Sequence, residues 1–254
     1  MLEKRIIPSL LLSQGKLVKT VKFKDPKYIG DPINTVKIFN NKGADELFII
    51  DIDASREKKE PNYSLLEQIA TEAFMPLGYA GGIQNLSQME KIFSLGFEKV
   101  ALSSVLFENP SLITEAIKLF GSQSVVGIID IDKSFLKGKK AFNHLNPKQS
   151  CSPLEMAMKL QELGAGEIIL HFAYREGTYT GYDLELINQI SKKLTVPLVV
   201  LGGASSKDDL ASALKSGADA AAAGSLFIYH GPHKAVLVNY PKRIEIEEIL
   251  LKGK

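Results

Sequence analysis

The sequence predicts an α/β fold, a (β/α)8 barrel of the TIM type built from two homologous half-barrels. Apolar runs rich in β-branched residues alternate with helical patterns along all 254 residues, the pattern of a parallel sheet. Eight such runs occur, the number at which parallel strands close on themselves. A third observation is internal. Pro76-Leu77, Gly81-Gly82, Gly96, Ala101 and Ser104 recur 121 residues later as Pro197-Leu198, Gly202-Gly203, Gly217, Ala222 and Ser225, and Gly43-Ala44 and Glu46 recur as Gly164-Ala165 and Glu167. An offset near half the chain implies two fused halves, roughly 1–122 and 123–254, within one domain.

The strands are expected at 5–12, 46–52, 76–80, 99–102, 124–130, 167–172, 197–201 and 219–223. Asp31-Pro32 and Asn109-Pro110 each place an N-cap residue before a proline at the first helical position, with Gly43 and Gly121 as stops. Asn85 caps a segment carrying Met89, Ile92 and Phe93 on one face, closed by Gly96. Ser152-Pro153-Leu154-Glu155 forms a capping box for a helix ending at Gly164. A helix is expected from about Ser206 to Ser216, and a last one over 243–252 with Ile244, Ile246, Ile249 and Leu250 turned at least partly inward. Two segments are expected as loops: the basic stretch 16–27, read as a solvated loop or a mobile flap over an anion, and the polar stretch 133–150.

Composition bounds the function classes. Hydrophobic content of 45% with 24% charged residues is ordinary for a globular protein, and no apolar run approaches a membrane-spanning length. The apolar run after Met1 is short and interrupted by Pro8, so a strand explains it better than a signal peptide. A net charge of +2 supports neither nucleic-acid nor membrane binding, and neither partner is expected. With Cys151 as the single cysteine, no intrachain disulfide can form and a reducing, cytoplasmic setting is expected. His144, His171, His230 and His233 show no metal-ligand spacing and read as surface or packed side chains, although His171 ends a strand and could face substrate. No metal or cofactor is expected.

The chemistry-bearing residues fall at the two ends of the strands. Glycine pairs after a buried strand let backbone N–H groups approach a phosphate, so Gly81-Gly82 with Ser104, and Gly202-Gly203 with Gly224 and Ser225, read as two phosphate cradles; Gly177 is either part of the second or an ordinary turn. A phosphorylated small molecule is the expected ligand. Asp51 and Asp130 end strands two and five, where an acid/base group with a raised pKa would sit, and position alone leaves a turn-capping role equally open. Arg5, Glu46, Lys99 and Glu167 begin strands one, two, four and six; they either pair into a ring on the barrel floor or stand as separate solvated charges.

Taken in order, MLEKRII, DPINTVKIFNNKGADELFIIDIDAS, GGI, FENPSLITEAIKLFGSQSVVGIID, GAGEIIL, GTYTGYD and GGASS followed by GADAAAAGSLF resemble the cyclase subunit family of imidazole glycerol phosphate synthase, from histidine biosynthesis, across nearly the whole chain. The resemblance implies a half-barrel pair that binds a bisphosphorylated ribonucleotide lengthwise, and a glutaminase partner docked on the floor whose ammonia passes through the barrel. It carries Arg5, Glu46, Lys99 and Glu167 over as the ammonia gate, Gly82, Ser104, Gly177, Gly203, Gly224 and Ser225 as phosphate contacts, Lys19 to the flap, and Asp130 to catalysis. One departure dominates. The family uses a second catalytic aspartate at the end of strand one, and Leu11 stands there. Leucine cannot transfer a proton, so the family's cyclisation should be severely impaired. Leu201, Glu176 and His171 are smaller departures. Together with PSLLL and KLVKTVKFKDPKYIGDPINTVKIFN, they resemble a divergent branch associated with amidation of bacterial surface sugars, which implies a sugar amidotransferase as a further partner.

Overall fold

The computed structural model describes residues 4–134 and 138–253; the start of MLEKRII and positions 135–137 of the 133–150 segment lie outside the described residues. Eight parallel strands, Arg5–Ser13, Leu47–Asp51, Leu77–Ala80, Lys99–Leu102, Val125–Ser134, Glu167–Phe172, Leu198–Leu201 and Ala220–Ala223, pair in succession, and the last pairs with the first through Arg5 opposite Ala220. The barrel is closed, so it has no exposed edge.

Two apolar layers follow from strand alternation. Ile7, Phe48, Ala101, Val126, Ile169 and Val199 belong to the interior cluster, while their strand neighbours Ile6, Leu47, Val100, Val125, Ile168 and Leu198 face the helices. Small residues dominate the eighth strand, AAAA, which lets the interior close without overpacking. Helices Pro32–Asn41, Tyr63–Glu72, Leu86–Ser94, Ser111–Phe120, Pro153–Glu162, Leu184–Ser191 and Lys207–Lys215 separate the strands, and Arg243–Lys252 packs against Lys207–Lys215. Among the described residues no helix is long and apolar enough to cross a membrane.

The expected start signals hold at Asp31, Asn85 and Ser206, whose side chains cap the helices that follow, and at Ser152, whose backbone N–H donates to Glu155 Oε2 at 3.2 Å. Asn109-Pro110 differs. Asn109 closes a short helix, Val105–Glu108, and Pro110 occupies the cap position of Ser111–Phe120. Ile244 is 65% exposed rather than turned inward, while Ile246 and Ile249 are buried and Leu250 packs partly buried against the core.

Both predicted loops are hairpins. Residues 16–27 fall in an antiparallel pair, Lys16–Val21 and Lys24–Gly30, that continues the sheet from strand one, with Leu17, Val18, Lys19 and Thr20 buried. Its tip, Lys22-Phe23, places both residues at positive φ, the geometry of tight hairpin turns but without the usual Asn-Gly. The fifth strand likewise runs on to Ser134 and turns back through Gly138–Phe142.

Candidate active site

At the N-terminal ends of the strands, the four charged residues form one ring. Arg5 Nη1 donates to Glu46 Oε2 at 2.5 Å and its Nη2 pairs with Glu167, while Lys99 Nζ lies 2.7 Å from Glu46 and 2.8 Å from Glu167. Cations and anions alternate, and every carboxylate oxygen has a partner. Burial works against the charge on Arg5, yet Glu167 and Glu46 hold its guanidinium more firmly protonated than usual. Of the alternatives left open by sequence, the paired ring is the one the structure adopts.

At the other end, a cavity of about 110 Å³ opens at the barrel mouth. It is lined by Asp51 and Asp130 and by Gly81, Gly82, Ser103 and Ser104, so the first glycine pair and both strand-end aspartates meet in one place. Period-two alternation explains the strand-one contribution: with Arg5 in the ring and Ile7 in the interior cluster, Ser9 and Leu11 share the inward face. Leu11 is 2% exposed, opposite Ile50 of strand two.

Asp130 reverses an expectation. Its Oδ2 accepts from Ser103 Oγ at 2.5 Å and faces His144 Nε2 at 3.4 Å, and its Oδ1 lies 2.8 Å from His171 Nδ1. Burial alone would raise its pKa, but the charge and hydrogen bonds of His144 and His171 outweigh burial and hold the carboxyl well below the usual range. Asp130 is thus biased toward its carboxylate form, held between the imidazoles of His171 and His144. His171 sits in register beside it on strand six. Burial disfavours its cation, but Asp130 and Glu176, whose Oε2 is 3.7 Å from Nε2, push its pKa up to about 9. The imidazole is thus biased toward its cation, and although only 3% exposed it lines the cavity, as its place at the end of strand six allowed.

Asp51 follows the expected direction. Burial raises its pKa, against the N–H groups of Asp53 and Ala54, each 3.0 Å from Oδ1. It caps the turn, the second of the roles left open by sequence, and it also lines the cavity. Among the lining residues that sequence reasoning does not single out are Phe23, Ser55, Arg56, Ser103 and His144. His144, which by sequence reads as a surface or packed histidine, lines the cavity while Phe23 and Phe142 pack against its ring at 5.0 and 4.4 Å. The hairpin return after strand five brings it there, which a loop reading of 133–150 could not show.

The second set, Gly177, Gly203, Gly224 and Ser225, also converges, in a separate cleft with Glu176 and Tyr179. Lys19 lies beside it. This side chain is 3% exposed and donates from Nζ to Ser9 O at 3.0 Å. Burial lowers its pKa to about 8, partly offset by Glu176. Lys19 is thus fixed under the hairpin rather than carried on a solvated flap. Among the described residues no group of three His, Cys, Asp or Glu side chains is placed to hold a metal ion.

The chain is 49% identical over 243 residues to a provisionally named imidazole glycerol phosphate synthase subunit, hisF2, of Pseudomonas aeruginosa, covering 95% of this chain and 97% of that one. It is 48% identical over 252 residues to a provisionally named HisF of Leptospira interrogans, covering 98% and 99%. The imidazole glycerol phosphate synthase subunit HisF of Alkaliphilus metalliredigens is 38% identical over 238 residues, covering 91% and 92%. Residues 5–234 match the family described as histidine biosynthesis protein, and the chain, with its closed barrel and full-length relatives, belongs to that family.

Proposed function

We propose that this chain is the synthase-side subunit of a glutamine amidotransferase complex, receiving ammonia from a glutaminase docked on the barrel floor and delivering it at the mouth. The observation that carries the reading is the Arg5–Glu46–Lys99–Glu167 ring, which closes the barrel interior at the end opposite the cavity. A ring held by short ion pairs excludes bulk water yet can part when one pair is broken, which suits a gate for a small neutral molecule. Phe74, 87% exposed just before strand three, and Leu119, 64% exposed before strand five, give the floor apolar groups for a partner.

The acceptor is proposed to be an acetamido group of a surface-glycan sugar, converted to an acetamidino group with a sugar amidotransferase present, rather than the histidine-pathway ribonucleotide. Leu11 supports this. It stands on the inward face where the family's second proton-transfer group is expected, and Asp130 is held as an ion by three donors, so the pair needed for cyclisation is absent. A second reading, a working cyclase of the histidine pathway, is favoured by one observation: His144, against Asp130 at the cavity, is a group that could move a proton in place of the missing aspartate.

Turnover of the histidine-pathway ribonucleotide with excess ammonium salt separates the two, measured for the unmodified chain, Leu11→Asp and His144→Ala. The expected result is no turnover in the unmodified chain and none in Leu11→Asp, because Asp130 stays committed to His171, Ser103 and His144. Robust turnover in the unmodified chain, lost in His144→Ala, would establish the cyclase reading instead. For the gate, Lys99→Ala in the glutaminase complex should lower the ratio of glutamine-dependent to ammonia-dependent synthesis by about tenfold or more; an unchanged ratio counts against the conduit.

A further inference from the structure

The charges of this chain are unevenly placed. Three hairpins stand around the barrel mouth: residues 16–30, which continue strand one, the return after strand five over residues 138–151, and residues 229–236 after strand eight. Together they hold nine lysines against the single acid Asp25, a net charge of +8 in a chain whose net charge is +2. Lys139 is paired with Asp183 at 2.7 Å and Lys19 is buried, while Lys22, Lys24, Lys27, Lys148 and Lys234 stand exposed. Large apolar groups are exposed among them: Val21 and Tyr28 on the first hairpin, Leu145 on the second and Val236 on the third.

The hairpins form one surface rather than three. Phe23, at the first tip, packs against His144 of the second at 5.0 Å. The first and third enclose a cleft of about 410 Å³ lined by Lys27, Tyr229 and Lys234, and Lys234 Nζ lies 4.5 Å from the centroid of the Tyr179 ring in the loop after strand six. A small anion in that cleft reaches Lys27 and Lys234, but Lys24 and Lys148 lie outside its lining, and it offers Val21, Leu145 and Val236 nothing to pack on. A flat lipid surface cannot follow a cleft. A protein face with acidic side chains around apolar ones meets both features, because opposed charges steer association and apolar groups bury at the centre of the contact. The cavity inside the rim is about 110 Å³, well below the about 300 Å³ at which sites enclosing a small-molecule ligand begin. It has room for ammonia and not for a sugar.

We infer that the hairpin rim is the docking face for the enzyme that holds the ammonia acceptor. A sugar amidotransferase presenting an acidic, partly apolar face seats on the three hairpins, and the mouth cavity is the port by which ammonia leaves the barrel rather than the chamber where it reacts. The inference rests on the amidotransferase reading above and adds where that partner sits, at the end of the barrel opposite the glutaminase.

The test reconstitutes the full chain with its glutaminase and the sugar amidotransferase, and follows amidotransferase binding by titration calorimetry, hydrogen exchange by mass spectrometry, and amidated product. Combining Lys24→Glu, Lys148→Glu and Lys234→Glu should weaken amidotransferase binding about tenfold or more, as should raising salt from about 50 to about 300 mM, while glutaminase binding at the floor stays within about twofold. In the unmodified chain the amidotransferase should slow exchange over 16–30, 138–148 and 229–236, which locates the face even if the triple variant does not fold. No association, unchanged affinity in the variant, or protection confined to the floor or the outer helices overturns the inference, and the amidation reading then stands or falls on whether amidated sugar still forms. Binding to phosphatidylglycerol–phosphatidylcholine vesicles in place of the amidotransferase, or a loss in the variant of inorganic phosphate binding alone, assigns the charges to a lipid surface or a small anion and overturns it too. Rim binding with no amidated sugar from glutamine or ammonium would remove the proposed acceptor and leave the docking face in place.

Discussion

His171 Nδ1 lies 2.8 Å from Asp130 Oδ1, and both side chains are almost wholly buried at the mouth of a parallel barrel. A catalytic aspartate normally needs an oxygen free to take or give a proton. Here that oxygen is committed to an imidazolium, and the second is shared between Ser103 and His144. The pair acts as a fixed dipole in the cavity wall.

Its first consequence is a pH dependence of stability. His171 has a pKa raised from 6.5 to about 9 in the fold, so the folded chain binds more protons across that window. The stabilisation is complete below pH 6.5 and is lost as pH rises through 9. Lys19, lowered to about 8, contributes the opposite slope above pH 8. The clear window is pH 6.5 to 8, where stability should fall by about 2 kcal/mol. Urea unfolding at the two pH values measures it, and His171→Gln should flatten the difference.

Lys99→Met should cost about 3 kcal/mol, because it leaves Glu46 and Glu167, 3% and 5% exposed, facing each other with Arg5 as the sole cation between them. The loss should appear as a lower urea midpoint at unchanged slope. A stability equal to the unmodified chain would mean that the ring is hydrated and loosely held.

Gly224→Ala places a methyl group 2.1 Å from Lys19 Nζ and 3.1 Å from Ser9 O. The amine is the flexible partner and should leave its seat, at a cost of about 1 kcal/mol for the lost hydrogen bond. Reductive methylation read by mass spectrometry should find Lys19 protected in the unmodified chain and labelled in the variant. Equal protection in both would show that the amine has another buried seat.

Tyr240 Oη donates to Ile6 O at 2.8 Å, tying the segment before the last helix to strand one. Tyr240→Phe removes the donor without changing shape, and should lower stability by about 1 kcal/mol while leaving the mouth untouched. An unchanged midpoint in thermal unfolding would show that the carbonyl finds another donor.

Much of this molecule was legible in sequence because the signals are local. Period-two apolar runs, N-cap residues and prolines at first turns act within a few residues of themselves, so the eight strands and most helix starts could be placed without a structure. Even the four floor charges were visible as candidates, since a residue that begins a barrel strand has few places to point. The exceptions were local signals with two outcomes, such as Asn109-Pro110, where a one-residue shift turned the expected cap into the end of the preceding helix.

The sequence alone therefore determined the fold class, the family and the absence of an acid at Leu11. The tertiary structure decided the rest of the site. A pKa is set by what surrounds a group, and neither the imidazoles around Asp130 nor the carboxylates around His171 lie near them in the chain. What a glycine faces depends likewise on a side chain from elsewhere, and Lys19 reaches Gly224 across more than two hundred residues of sequence because strands one and eight are neighbours in a closed barrel.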